Sequence, residues 1–450
     1  PGRAEASLGT KPQEGGPIKE EDTMTYKAFT LASAVAALLA GAPASAQQTV
    51  TWWDFLSGGD GVRMKALIDQ FNSEHPDIQV QATTLEWGVP FYTKVRTSAA
   101  VGRGPDVMTY HLSRLPLGLA EEVLTPITAE DLDTAGLAEE DFFGTALDAG
   151  KDAEGALYAI PFDIHAIVLY YNASYLEGSR FLDDEGKLTG IESLADFEEA
   201  LALAAENGAE SPVTYATGDD GGTYRVFYTL LAQQGGTLIS DEGEILPGDS
   251  TDKAVRAVEI MTKWHQEGWQ PEQALYEASV ALFTSGKSAF QLNGVWEVPT
   301  MTDLEDAGDL GFDWGAVEIP QLMDQQVTWA DSHGFAIPVQ GDAPMDPEKR
   351  EAVMTVIGWM EKNAIQWADA GHIPAYKPVA ESEEFAAMQP NSTYASLADR
   401  AAYDPRSEIA GVASPAYDVA INIISPAIHG YLSPEDAVEQ MKAELQSRLR

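Results

Sequence analysis

Residues 49–82 carry a pattern that switches from strand to helix and back to strand. Thr49-Val50-Thr51-Trp52-Trp53 is a β-branched and aromatic run, which predicts a strand. Ser57-Gly58-Gly59-Asp60-Gly61 breaks it, after which Val62, Met64, Leu67, Ile68 and Phe71 recur at helical spacing. Pro76 stands beyond that helix, and Ile78-Gln79-Val80-Gln81-Ala82 alternates as a second strand. Two strands joined through a helix form a βαβ unit, which demands a parallel sheet with helices on its faces.

Further strands are predicted near 107–110, 157–171, 288–292, 315–319 and 334–337, and helices near 191–206, 223–234, 251–267, 347–370 and 434–449. This alternation gives an α/β fold class. The 450 residues exceed one ordinary core and suit two domains. A glycine-rich turn between strand and helix invites comparison with a phosphate cradle. The turn at 57–61 lacks a Walker lysine and the dinucleotide glycine spacing. It is expected either to bring backbone N–H groups close to a neutral polar ligand or simply to start the helix.

Charge and cysteine content narrow the function classes. With 71 acidic against 27 basic residues, the surface repels phosphate backbones and anionic headgroups, so nucleic acid is not an expected partner. The absence of cysteine excludes disulfides, thiolate metal sites, a cysteine nucleophile and a lipid anchor on a leader cysteine. From Met24 the chain has the layout of a secretory signal: Lys27 as its positive end, an apolar run from Phe29 to Leu39, and Ala44-Ser45-Ala46 as a small-residue cleavage site. Residues 24–46 are therefore expected to be a signal peptide, with Gln47 the first mature residue and the periplasm the destination. Residues 1–23 precede this start and read as a disordered extension.

A series of short motifs adds a resemblance. They include Gly104-Pro105-Asp106, Gly155-Ala156-Leu157-Tyr158-Ala159-Ile160-Pro161-Phe162-Asp163 and Leu169-Tyr170-Tyr171-Asn172. Phe283-Thr284-Ser285-Gly286-Lys287-Ser288-Ala289-Phe290, Asn293-Gly294-Val295-Trp296 and Gly315-Ala316-Val317-Glu318-Ile319-Pro320 follow, then His333-Gly334-Phe335-Ala336-Ile337-Pro338 and Gly371-His372-Ile373-Pro374-Ala375-Tyr376-Lys377. In this order the chain resembles the extracellular solute-binding proteins of carbohydrate ABC transporters, the maltose-binding-protein-like family. The resemblance implies a periplasmic-binding-protein fold: two α/β lobes joined by a three-segment hinge, with the ligand cleft between them. Lobe 1 is then expected to hold 47–165 and 315–370, and lobe 2 to hold 166–314 and 371–450, with crossings near 164–168, 312–316 and 366–376. It also implies a monomer without cofactor or catalytic residues. Such a protein captures a mono- or oligosaccharide, closes over it by hinge motion and delivers it to membrane permease subunits.

Sugars present weakly apolar faces to aromatic rings and hydroxyls to amides, carboxylates and histidines. The chain holds 10 Trp and 16 Tyr, several beside such polar groups. Trp53 and Asp54 end the first strand at the expected cleft rim, with core packing or helix capping as the alternative. Trp87 sits in a Glu-Trp-Gly loop, either stacking on ligand or anchoring the loop. Tyr110 and His111 close the third strand, where the ligand crevice of an open α/β sheet lies; for His111 the alternative is a plain surface hydrogen bond. Asp163 and His165, spaced by two on an extended chain, face one side as site groups or as a hinge pair. Asn293, Gly294 and Trp296 are implied by the resemblance to meet the sugar, the tryptophan by stacking. Asp331 and His333 alternate to one face, as ligand contacts or as loop hydrogen bonds. Tyr376 is a further stacking candidate, and Tyr224 is divided between ligand contact and helix capping. Trp264, Trp359 and Trp367 recur with Val, Ile and Met at helical spacing and are read as core.

Two alternatives stand beside the sugar carrier. A secreted carbohydrate-active hydrolase would need two carboxylates at a set separation, and no motif singles out such a pair. The same fold binding a polyamine or other cation is the second. Metal ligation is not expected, since the seven histidines include no pair at helical ligand spacing. No Gly-x-Ser-x-Gly turn marks a serine nucleophile.

Overall fold

A computed structural model of the chain describes residues 47–341 and 344–449. The expected signal peptide and the extension before it lie outside the described residues. Among these residues no helix is long and apolar enough to cross a membrane.

The strands in chain order are β1 Gln48–Asp54, β2 Ile78–Thr84, β3 Val107–His111, β4 Leu124–Thr125, β5 Ala159–Pro161, β6 Asp163–Asn172, β7 Val213–Thr214, β8 Phe290–Gly294, β9 Trp314–Val317, β10 Thr328–Asp331, β11 His333–Pro338, β12 Ile373–Pro374 and β13 Ala401–Tyr403. They form two sheets. A six-stranded sheet runs β2-β1-β3-β11-β4, with β5 also on β11. A seven-stranded sheet runs β13-β10-β6-β8-β7, with β9 and β12 also on β6. Each sheet is the centre of one lobe.

The predicted βαβ unit is present: β1 pairs in parallel with β2, and the helix Gly58–Glu74 joins them. Met64, Leu67, Ile68 and Phe71 are that helix's buried apolar residues, four of the five that carry its sequence period, while Val62 is exposed. Every residue of β6 is buried, as expected for a central strand covered on both faces.

The chain passes between the sheets at three points. Phe162 separates β5 from β6, and Ser332 separates β10 from β11. The third passage follows the helix Ala364–Ala368, which packs on the helix Gly58–Glu74, and enters β12 beside β6. The second crossing expected near 312–316 is thus corrected to Ser332. Residues 314–317 pair antiparallel with 169–172 of β6, so the extended Gly315-Ala316-Val317 run continues the second sheet instead of leaving it. Thr328–Asp331, not among the strands expected from sequence, is a further strand of that sheet.

Candidate functional site

Register brings the crossing residues together. On β11, His333 lies opposite His111 of β3 in the first sheet. Two residues earlier, Asp331 of β10 lies opposite His165 of β6 in the second. The extended segment Asp331-Ser332-His333 therefore straddles both sheets and sets the imidazoles of His111, His165 and His333 side by side. The His165 and His333 ring centroids are 4.2 Å apart, and those of His111 and His333 are 5.1 Å apart.

Asp163 lies beneath this floor, fully buried. It accepts hydrogen bonds from His165 Nδ1 (3.0 Å), His333 Nδ1 (2.8 Å), the His333 backbone N–H (2.9 Å) and the indole of Trp367 (2.7 Å). A carboxylate can only accept here, so both rings carry hydrogen on Nδ1, and His165, depressed by burial, keeps Nε2 as an acceptor. His372 Nδ1 stands 3.2 Å from Asp163, and its Nε2 stands 3.2 Å from Asp60 at the start of the first helix. Burial works to raise the Asp163 pKa, but His333, His372 and His165 hold it well below the usual carboxylate range. Burial, then the His333 charge, depresses His165 to about 3, and burial likewise holds His111 well below its ordinary value. Burial works to depress His372, yet Asp60 and Asp163 raise it from the ordinary imidazole value.

Ligand atoms of Asp163, His165, His333 and His372 lie within 4.8 Å of one another, as do those of His111, His165 and Asp331. Hydrogen bonding accounts for both groupings. The Asp163 oxygens are taken as described, and Asp331 accepts from the Ser113 backbone N–H, the Ser113 hydroxyl and the Ser332 N–H.

Above the floor is a cavity of about 390 Å³, within the roughly 300–1,000 Å³ usual for small-molecule sites. Its first wall is the turn from Phe55 to Asp60, with Trp87 beyond it. Gly58 has φ of +57°, in the left-handed region that favours glycine. A Cβ on Gly59 would stand 2.5 Å from Pro299 of the opposite lobe, so the close approach of the two walls depends on glycine there. The second wall carries Arg225 on the helix Asp220–Gln233, Tyr276 at the start of Tyr276–Thr284, and Trp296 and Glu297 after β8. Trp296 Nε1 donates to the Tyr276 hydroxyl (2.7 Å), which donates to Glu297.

Of the residues singled out from sequence, Trp87, His111, His165, Trp296 and His333 line this cavity. Trp53, Asp54, Tyr110, Asp163, Asn293, Gly294, Asp331 and Tyr376 are not among its lining residues. Trp53 is half-buried with Lys94 over its ring, and Asp54 is buried, accepting the Leu56 N–H of the following turn. Tyr110 is buried against Tyr92. Asn293 accepts the N–H of Gly294, whose bare Cα lies against the Trp296 ring: a Cβ would come within 2.1 Å of it. Tyr376 packs on Phe142 in lobe 1. Tyr224 is buried, its hydroxyl donating to Asp404. Trp264 and Trp367 are fully buried, as their helical spacing predicts.

Sequence reading did not single out Arg225, Tyr276 or Glu297. For Arg225 a signal existed. It interrupts the run Tyr224-Arg225-Val226-Phe227-Tyr228, which is buried throughout, and a buried arginine must be matched by aromatic or anionic surroundings.

Two lobes, three crossing segments and a polar, aromatic-walled cavity between the lobes define a hinged solute-binding protein. A sequence model of bacterial extracellular solute-binding proteins matches residues 57–367, and the chain belongs to that family. It is 26% identical over 322 residues to the lactose-binding protein of Rhizobium radiobacter, covering 68% of this chain and 69% of that protein. It is also 26% identical over 178 residues to the maltodextrin-binding protein of Bacillus subtilis, where the match spans only 38% of either chain. The fold is shared with the maltose-bound MalE3 of T. maritima, at a TM-score of 0.74 and 19% identity over 89% of this chain and 100% of that one.

Proposed function

We propose that this protein is the substrate-binding component of an ABC sugar importer. It captures a mono- or oligosaccharide in the cavity between the lobes, closes about Phe162, Ser332 and the Gly371–His372 segment, and passes the sugar unaltered to membrane permease subunits. Its action follows export through the Met24 leader, as a monomer without cofactor or catalysis. The observation that carries the reading is the pairing of Trp87 and Trp296, from opposite lobes, with three imidazoles and the Tyr276–Glu297 pair around one cavity. Rings take the C–H faces of a pyranose, and the polar groups take its hydroxyls. The ligands of the lactose- and maltodextrin-binding relatives support a saccharide. A polyamine is disfavoured because Arg225 already stands between Trp296 and Trp329 at 4.8 and 4.5 Å, where a second cation would be repelled.

Titration calorimetry against a panel of saccharides, with chromatography of the recovered ligand, tests the reading. Saturable 1:1 binding with the sugar recovered intact is expected. New reducing ends would establish a hydrolase instead, and binding of spermidine but no sugar would establish a cation carrier.

A further inference from the structure

Arg225 is a cavity residue whose charge meets no carboxylate at ion-pair distance among the described residues. Its side chain is nine-tenths buried, yet among the described residues it forms no ion pair and its Nε has no partner; the Tyr417 hydroxyl and, beyond contact, the Asp219 charge are what the protein offers it. Its surroundings are aromatic: the Trp329 and Trp296 rings lie at 4.5 and 4.8 Å, with Trp87 and Tyr417 near 6 Å. Aromatic faces offset part of the cost of burying a guanidinium, and a tyrosine hydroxyl supplies no anionic oxygen for its N–H fork.

The acids around the same cavity are already engaged or lie on its rim. Asp60 stands against His372, Asp219 accepts the Gly222 N–H at the start of its helix, and Glu297 accepts from Tyr276. Glu277 is exposed at the mouth. None of them lies within ion-pair distance of Arg225.

Closure over a neutral sugar would seal an unpaired cation away from water, a costly arrangement. A ligand bearing an oxyanion would remove that cost, because a planar guanidinium fork matches carboxylate and phosphate oxygens two at a time. Resting on the saccharide reading above, we infer that the ligand of this cavity is an acidic saccharide whose oxyanion pairs with Arg225. The two wall tryptophans then hold the sugar ring while Arg225 reads its charged group.

Matched pairs test this: glucuronate against glucose, galacturonate against galactose, their short oligomers, and glucose 6-phosphate as the phosphate arm, each titrated into the wild-type chain and Arg225→Gln. At least one acidic member is expected to bind about tenfold or more tighter than its neutral partner. Arg225→Gln should abolish that preference, so that the acidic and neutral members of each pair bind alike. A uronate preference without a phosphate preference assigns the oxyanion as carboxylate, and the converse assigns it as phosphate. Neutral members binding as tightly as acidic ones in every pair would overturn the inference and leave the sugar-carrier reading standing. Binding of no saccharide of either kind would overturn both. Should Arg225→Gln fail to fold by circular dichroism, the wild-type pairs decide alone.

Discussion

Asp163 Oδ2 accepts the Nδ1–H of His333 at 2.8 Å, a fully buried bond that ties the first crossing segment to the second. The same carboxylate holds Trp367 and faces His372, so all three passages between the lobes meet on one side chain. Asp163→Ala is expected to lower stability by about 3–5 kcal/mol, because it strands buried donors from His165, His333 and Trp367 at once. Chemical denaturation at pH 7 measures this. A loss under 1 kcal/mol would show that the crossings are held by backbone pairing alone.

Glu361, on the helix Pro347–Lys362, is fully buried, and neither carboxyl oxygen has a hydrogen-bond partner among the described residues. Burial, then the Asp163 charge, raises its pKa well above the usual carboxylate value. The folded protein therefore keeps a proton that the unfolded chain releases as pH rises past the ordinary glutamate range. In that window the folded state binds more protons, so the contribution of this group to stability falls as pH increases. Glu361→Gln removes the titration while keeping the shape of the neutral acid. The variant should match wild type near pH 4 and gain stability over it as pH rises to 8, as read from paired thermal melts. A difference that does not change with pH would mean the carboxyl is ionised and solvated in the fold.

Legibility from sequence follows how directly a residue's role shows in local periodicity. The unit at 49–82 was readable because its helix buries one stripe and its strands alternate. Trp87 and His111 are readable from their places in a loop and at a strand end, where the crevice of an α/β sheet lies, whereas Trp296 comes from the family resemblance. Neighbouring residues along a strand point to opposite faces, so Tyr110 turns into the lobe where His111 turns to the cavity. Tyr276 stays hidden because it opens a helix whose apolar spacing masks the face turned to the cleft, whereas Arg225 is marked only by the break it makes in an apolar run. The crossing at Ser332 was missed for a different reason. Thr328–Asp331 spans only four residues, and its pairing with β6 is set by partners far away in sequence.

Trp296 and Trp53 form a matched comparison for ligand binding. Trp296 lines the cavity opposite Trp87, its ring fixed by the Tyr276 hydroxyl and the bare Cα of Gly294. Trp53 lies beyond the lining, near Lys94. Trp296→Ala should weaken binding of the saccharide found in the screen by at least about tenfold, as central aromatic anchors commonly do. Trp53→Ala should change affinity less than about twofold by the same measure, since surface positions without ligand contact contribute little. Calorimetry on both variants, with folding checked by circular dichroism, separates the two roles. Equal losses would move the site towards the β1 edge.

Gly294→Ala asks whether the ring must lie where it does. A methyl group there would collide with the Trp296 ring, whose atoms come within 2.1–2.2 Å of an ideal Cβ, so the indole must swing away. Affinity should then fall nearly as far as in Trp296→Ala, with the fold intact.

Arg63, on the first helix of lobe 1, reaches Asp303 of lobe 2 at 2.9 Å and Asp369 beside the third crossing at 3.1 Å. The Arg63–Asp303 pair exists only while the lobes meet, so it favours the closed form and leaves the open form unaffected. A ligand that binds the closed form reports that bias as apparent affinity. Asp303 is largely exposed, and exposed pairs are weak and screened by salt. Asp303→Ala should therefore weaken binding by up to about fivefold at low ionic strength. The difference from wild type should shrink towards nothing at about 1 M salt, where screening acts within roughly 3 Å. Calorimetry of both proteins at two salt concentrations measures the effect. A loss that persists undiminished at high salt would assign Asp303 a packing role against Arg63 and remove the ion pair from the closing equilibrium.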